Sequence, residues 1–161
     1  MNVLDKRLAE TDCIKQTNWV KLISILKHQF NEWATARLAE RGHKDFKMVY
    51  MPVIMNITPE GVNNNLLAGH ARVTKQAMSK VAKELQRQGY IKAKKDPNDK
   101  RSTIFMLTDR GKKLVIQARA SVIDVTEEYR RLTGAYEFEK ATEILRKIID
   151  YNDRELLNRK Q

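Results

Sequence analysis

A chain of 161 residues has room for one ordinary domain with a real core and is short for two. With 42% hydrophobic residues, six glycines and three prolines it is excluded from the disordered, collagen-like and disulfide-scaffold classes, and its net charge of +11 favours an anionic partner. Cys13 alone cannot close an internal disulfide, the start MNVLDKRLAE is charged where a signal peptide needs an apolar core, and no apolar run nears the ~20 residues of a membrane span, so a cytoplasmic protein outside the membrane is expected.

From about residue 12 to 41, Trp19, Ile23, Leu26, Phe30 and Trp33 recur at steps of four and three and draw one stripe on a long helix, which Gly42 stops. Residues 45 to 57 are apolar nearly all round and predict a buried second helix, bent or broken at Pro52. TPEGV, 58 to 62, reads as a loop. Asn63 can cap a short helix running to about Gly69, HARV turns a corner, and Thr74 can cap the next helix, which is the helix-turn-helix layout.

On the helix from Thr74 to about Gln88, a 100° step gathers Ala77, Met78, Val81, Ala82 and Leu85 on one side and Gln76, Ser79, Lys80, Lys83 and Arg87 on the other. Gly89 ends it. Residues 90–95 and 102–107 read as two strands around the turn-rich DPNDK, a hairpin with a charged tip. Thr108 or Asp109 caps a helix holding Leu114, Ile116, Ala118, Val122, Ile123 and Val125, and a last helix follows Gly134. The expected fold class is mainly α with a small antiparallel β-hairpin wing.

The charge is not spread evenly. Residues 72–113 hold thirteen Lys/Arg against four Asp/Glu, a net of +9, while residues 1–71 and 114–161 carry +2 and 0. An excess so concentrated is the footprint of a polyanion-binding surface, nucleic acid before an anionic membrane. Thr74, Lys75, Gln76, Ser79, Lys80 and Lys83 are of the types that reach base edges and phosphates from a helix in the major groove. On the hairpin, Lys94, Lys95 and Lys100 suit phosphates. Arg101, two residues from Asp99 and so able to be held by it, suits the minor groove. Three scattered histidines, one cysteine and no Gly-rich phosphate loop leave no triad, metal cluster or nucleotide cradle, so no enzyme, cofactor or metal is expected.

Leu67-Ala68, then Leu85 and Gly89, then Asp99, Arg101, Leu107-Thr108 and Gly111 in a D-x-R-x5-L-T-x2-G run resemble the MarR family of winged helix-turn-helix transcription regulators. The resemblance implies one domain over residues 1–161, with dimerisation helices at 1–44 and 114–161 around a DNA-binding lobe at 45–113. It also implies a homodimer on a pseudo-palindromic double-stranded operator, most often a repressor, released by a small aromatic effector. It would place an effector pocket among Trp19, Ile23, Phe30, Trp33, Met48, Met51 and Met55, although aromatics and methionines at helical spacing read first as core. Arg72 stands where many relatives have glycine and adds a phosphate contact at the corner. Cys13 lies upstream of the reactive cysteine of peroxide-sensing relatives and reads as an ordinary thiol. The competing reading is an architectural or partner-binding winged-helix protein with little sequence preference and no effector.

Overall fold

The computed structural model describes residues 2–11, 18–71, 74–97 and 102–158, and Cys13 lies outside them. The chain divides into two compact units, one ending at Val115 and the other beginning at Ile116. The first unit thus holds residues 1–44 together with the expected lobe.

Helix α1 (Val3–Glu10), which the sequence reading did not anticipate, is started by a reciprocal capping box. The Asn2 side chain accepts from the Leu4 N–H at 2.6 Å, and the Asp5 carboxylate accepts from the Asn2 N–H at 3.1 Å. Helix α2 (Trp19–Glu40) begins at the first residue of the apolar stripe, where Asn18 Oδ1 accepts from Lys21 N–H at 3.2 Å and so fixes the first turn. Only Ala34 and Leu38 of α2 are buried, whereas Trp19, Ile23 and Leu26, the first half of the predicted stripe, are exposed.

The single buried helix expected over 45–57 is replaced by a 3₁₀ turn (Met48–Tyr50) running into one short helix, α3 (Met51–Ile54). Pro52 sits in the first turn of α3, where its missing N–H costs nothing, rather than breaking a longer helix. The apolar character of this stretch is spent on packing instead, since Phe46, Val53, Ile54 and Ile57 are all buried.

The loop expected at 58–62 ends in a strand, β1 (Val62–Asn63), which makes the wing three-stranded. The strand order is β1-β3-β2, with β2 (Ile91–Lys95) and β3 (Thr103–Leu107) paired antiparallel in the register Ile91↔Leu107 to Lys95↔Thr103. Gly61, at φ +95°, lets β1 come close, because a Cβ there would lie 2.6 Å from Ile104 Cγ2. Helices α4 (Asn64–His70) and α5 (Lys75–Arg87) pack over the sheet on a core that includes Leu67, Met78, Leu85 and Tyr90, each fully buried.

Helix α6 (Asp109–Thr133) spans the division between the units, and α7 (Ala135–Asn158) completes the second. No residue of α7 is buried, and Val122 and Ile123 of α6 are exposed although Val125 is covered. Among the described residues no helix is long and apolar enough to cross a membrane.

Candidate nucleic-acid interface

Two caps fix the starts of α4 and α5. Asn63 Oδ1 accepts from Leu66 N–H at 2.9 Å and starts α4, and Thr74 Oγ1 accepts from Ala77 N–H at 3.1 Å and starts α5, as the sequence predicts. Met78, Ala82 and Leu85 are 0–2% exposed and press one face of α5 into the core. The opposite face is thereby turned to solvent, and Gln76, Ser79, Lys80 and Lys83 are exposed on it. Arg87, on the same side, is committed elsewhere: its guanidinium grips Glu84 at 2.9 and 2.6 Å.

The wing separates two lysines that the sequence lists side by side. Strand alternation puts Lys94 with Lys92, Ile104 and Met106 on one face, and Lys95 with Ala93, Thr103 and buried Phe105 on the face toward α5. Both are exposed. The side chain of Lys75, the corner residue Arg72 and the tip residues Asp99, Lys100 and Arg101 lie outside the described residues.

Sequence reasoning missed the junction that holds helix and wing together. Tyr90, fully buried at the exit of α5, donates its hydroxyl to Asp45 Oδ1 at 3.0 Å, lies 3.1 Å from His43 Nδ1 and meets the Phe46 ring edge-on at 5.4 Å. Arg110 lies over the Tyr90 ring at 4.4 Å, pairs with Asp45 at 2.7 Å and donates to the Gln88 carbonyl. Gln88 Nε2 donates to the Asp45 carbonyl at 2.9 Å. No local pattern announces contacts between residues 45, 90 and 110.

Partial burial works against the Asp45 charge, but the Tyr90 hydroxyl and the Arg110 guanidinium outweigh it and hold the carboxyl below its ordinary value of 3.8. A carboxylate lowered on folding adds stability that is fully present above its unfolded pKa and is lost as pH falls through the folded value. Asp45→Asn is therefore expected to make the acid-side fall of melting temperature shallower from about pH 4 downward, as thermal melts across pH would record. Parallel acid limbs in the two proteins would remove Asp45 from this role. Burial and the Asp45 bond together push the Tyr90 phenol well up, so it stays protonated and donating.

Of the seven residues proposed for an effector pocket, Phe30, Met48, Met51 and Met55 do line one open cavity of about 520 Å³, with Lys27 and Asn31 at its polar side. Trp19, Ile23 and Trp33 do not line it. Trp33 instead packs on Phe30 at 5.8 Å and under Arg37 at 5.6 Å.

Residues 53–102 match the model of the MarR family. Over 94 residues the chain is 29% identical to an uncharacterized HTH-type transcriptional regulator of Bacillus subtilis (strain 168), YvnA, an alignment that covers 58% of this chain and 60% of that protein. Among solved structures it is similar to a MarR protein from Peptoclostridium difficile, with TM-score 0.73 and 20% identity over 86% of this chain and 89% of that one. It is also similar to Streptococcus pneumoniae FabT in complex with DNA (0.69, 19%, 84% and 98%) and to a MepR–DNA complex of S. aureus (0.70, 19%, 83% and 97%). The fold is the winged helix of these MarR-family structures, and the wing signature read from the sequence falls in and just beyond the matched segment.

Proposed function

We propose, taking the MarR-family match of residues 53–102 as the premise, that this chain is a sequence-specific regulator of transcription that binds double-stranded DNA through α5 and the wing. The observation that carries this reading is the division of α5 into a buried apolar back and an exposed face of Gln76, Ser79, Lys80 and Lys83, followed directly by a lysine-bearing wing. By their places in the sequence we assign Thr74 and Lys75 to the same reading surface, Arg72 to a phosphate contact at the corner, and Arg101, two residues from Asp99 and next to Lys100, to the minor groove. Solved relatives of the same fold hold DNA.

The protein acts as a homodimer. Ile144, Leu145, Ile149, Leu156 and Leu157 on α7, with Val122 and Ile123 on α6, are exposed to an extent that a second copy would relieve. Two reading helices about one DNA turn apart then favour a pseudo-palindromic operator and a repressor's footprint. The methionine-lined cavity beside Phe30 supports release by a small aromatic molecule that fits one spacing of the two helices better than the other.

A salt series tests the reading. The best duplex selected from a random pool should bind ~4–10 kcal/mol more tightly than random duplex at matched salt. Equal affinities at every salt concentration would replace this reading with the architectural one. Within the specific complex, Arg101→Ala should weaken binding, while Gln76→Ala should change which sequence is selected, as a repeat of the selection would reveal.

A further inference from the structure

Three of the chain's six methionines, Met48, Met51 and Met55, line the cavity of about 520 Å³ beside Phe30. Steps of three and four along the 3₁₀ turn and α3 keep their thioethers on one side. All three are half-buried and pack against the hydrophobic core, so each belongs at once to that packing and to the wall of an open cavity. The other described methionines are placed differently. Met78 is fully buried on α5, and Met106, half-buried on β3, does not line this cavity.

We propose that this methionine cluster is a site of reversible oxidation by hypohalous acids, and that the sulfoxides loosen the packing behind α4 and α5. A thioether needs no deprotonation to react, and a hypohalous acid is small and uncharged enough to enter the cavity. The sulfur lone pair attacks the halogen and hydroxide leaves; water then displaces halide from sulfur and loses two protons, which gives the sulfoxide. Sulfur is oxidised by two electrons and the halogen is reduced to halide. The product puts a polar S=O group where an apolar side chain packed. Lys27 and Asn31, on the polar side of the cavity, can donate to the new oxygens and so favour the methionine side chains turned away from the core. Val53 and Ile54, buried on α3, pass the disturbance to the core that also holds Leu67 and Met78. A sulfoxide reductase, with a thiol as electron donor, removes the oxygen as water and restores the thioether. The effect on DNA rests on the DNA-binding reading above; the oxidation site does not.

The full chain carrying Cys13→Ser, which removes the competing thiol, is treated with limiting hypochlorite and mapped by peptide mass spectrometry. An added oxygen is expected at Met48, Met51 and Met55 before Met106, with Met78 unchanged. Oxidation should lower the melting temperature by about 4 °C or more and weaken binding to a mixed-sequence duplex about tenfold, and sulfoxide reductase should restore both. Met48→Leu, Met51→Leu and Met55→Leu combined keep the volume and remove the sulfurs, so that variant should hold its melting temperature and affinity through the same treatment. Oxidation of Met106 as early as the cluster would overturn the site, a comparison that needs no variant of the cluster. Unchanged melting and affinity in the oxidised chain, or equal losses in the leucine variant, would overturn the loosening. If the untreated chain binds no duplex, the DNA-binding reading fails by itself, and mapping and melting still decide the oxidation site.

Discussion

Gly111→Ala is expected to lower the melting temperature by roughly 6–12 °C, the equivalent of about 3 kcal/mol for a chain of this size. The position is in the first turn of α6, where alanine would ordinarily favour the helix by about 1 kcal/mol over glycine. Space reverses the sign. A Cβ at 111 would lie 2.0 Å from the Tyr90 carbonyl oxygen and 3.2 Å from Leu107 Cδ2. That carbonyl cannot simply swing away, since it accepts from Thr108 N–H at 3.0 Å and from Thr108 Oγ1–H at 3.1 Å. Nor can the turn slide, because Gly111 N–H donates to Thr108 Oγ1 at 3.1 Å. Gly69→Ala is the matched control: a Cβ there meets nothing within 4 Å, so its melting temperature should hold or rise slightly. Equal melting of the two variants would refute the crowding argument.

The second large effect is expected at Tyr90. Truncation to alanine empties a fully buried aromatic site between Phe46 and Arg110 and should cost about 3–5 kcal/mol in urea unfolding. Tyr90→Phe keeps the ring and deletes the hydroxyl, leaving Asp45 and His43 each one partner short, at a cost of about 1–3 kcal/mol. The combination of Tyr90→Phe with Asp45→Asn should cost less than the sum of the single changes, since both act on the one Tyr90–Asp45 hydrogen bond and the pair loses it only once. Strict additivity would show that the hydroxyl and the carboxylate act independently despite their 3.0 Å contact.

These two sites show what the sequence makes legible. Gly111 was legible as the close of the D-x-R-x5-L-T-x2-G run, although its physical reason, the Tyr90 carbonyl where a Cβ would be, lies across the hairpin. The caps at Asn63 and Thr74 and the two faces of α5 were legible because a cap or a helix face is specified within a few residues. Tyr90 was not, because its partners lie 45 and 20 positions away and no periodicity links them. The stretch 45–57 misled because an apolar run signals burial rather than conformation, and burial was achieved here with little more than two turns of helix. β1 was hidden by its length, two residues whose strand character comes entirely from the β3 edge they pair with. The apolar stripe on α2 was read correctly as periodic, yet its first half is uncovered, since periodicity marks a face for packing without saying which chain supplies the partner.

The strand order β1-β3-β2 has a consequence for solubility. Because β1 covers one side of β3, the long unpaired edge of this sheet belongs to β2, a row of open N–H and C=O groups of the kind that templates edge-to-edge aggregation. That edge reads Ile-Lys-Ala-Lys-Lys, with an exposed lysine at 92, 94 and 95 on both faces of the ribbon. Two such edges would bring three cations against three, so the side chains that suit the wing to a polyanion also keep one wing from zipping onto another.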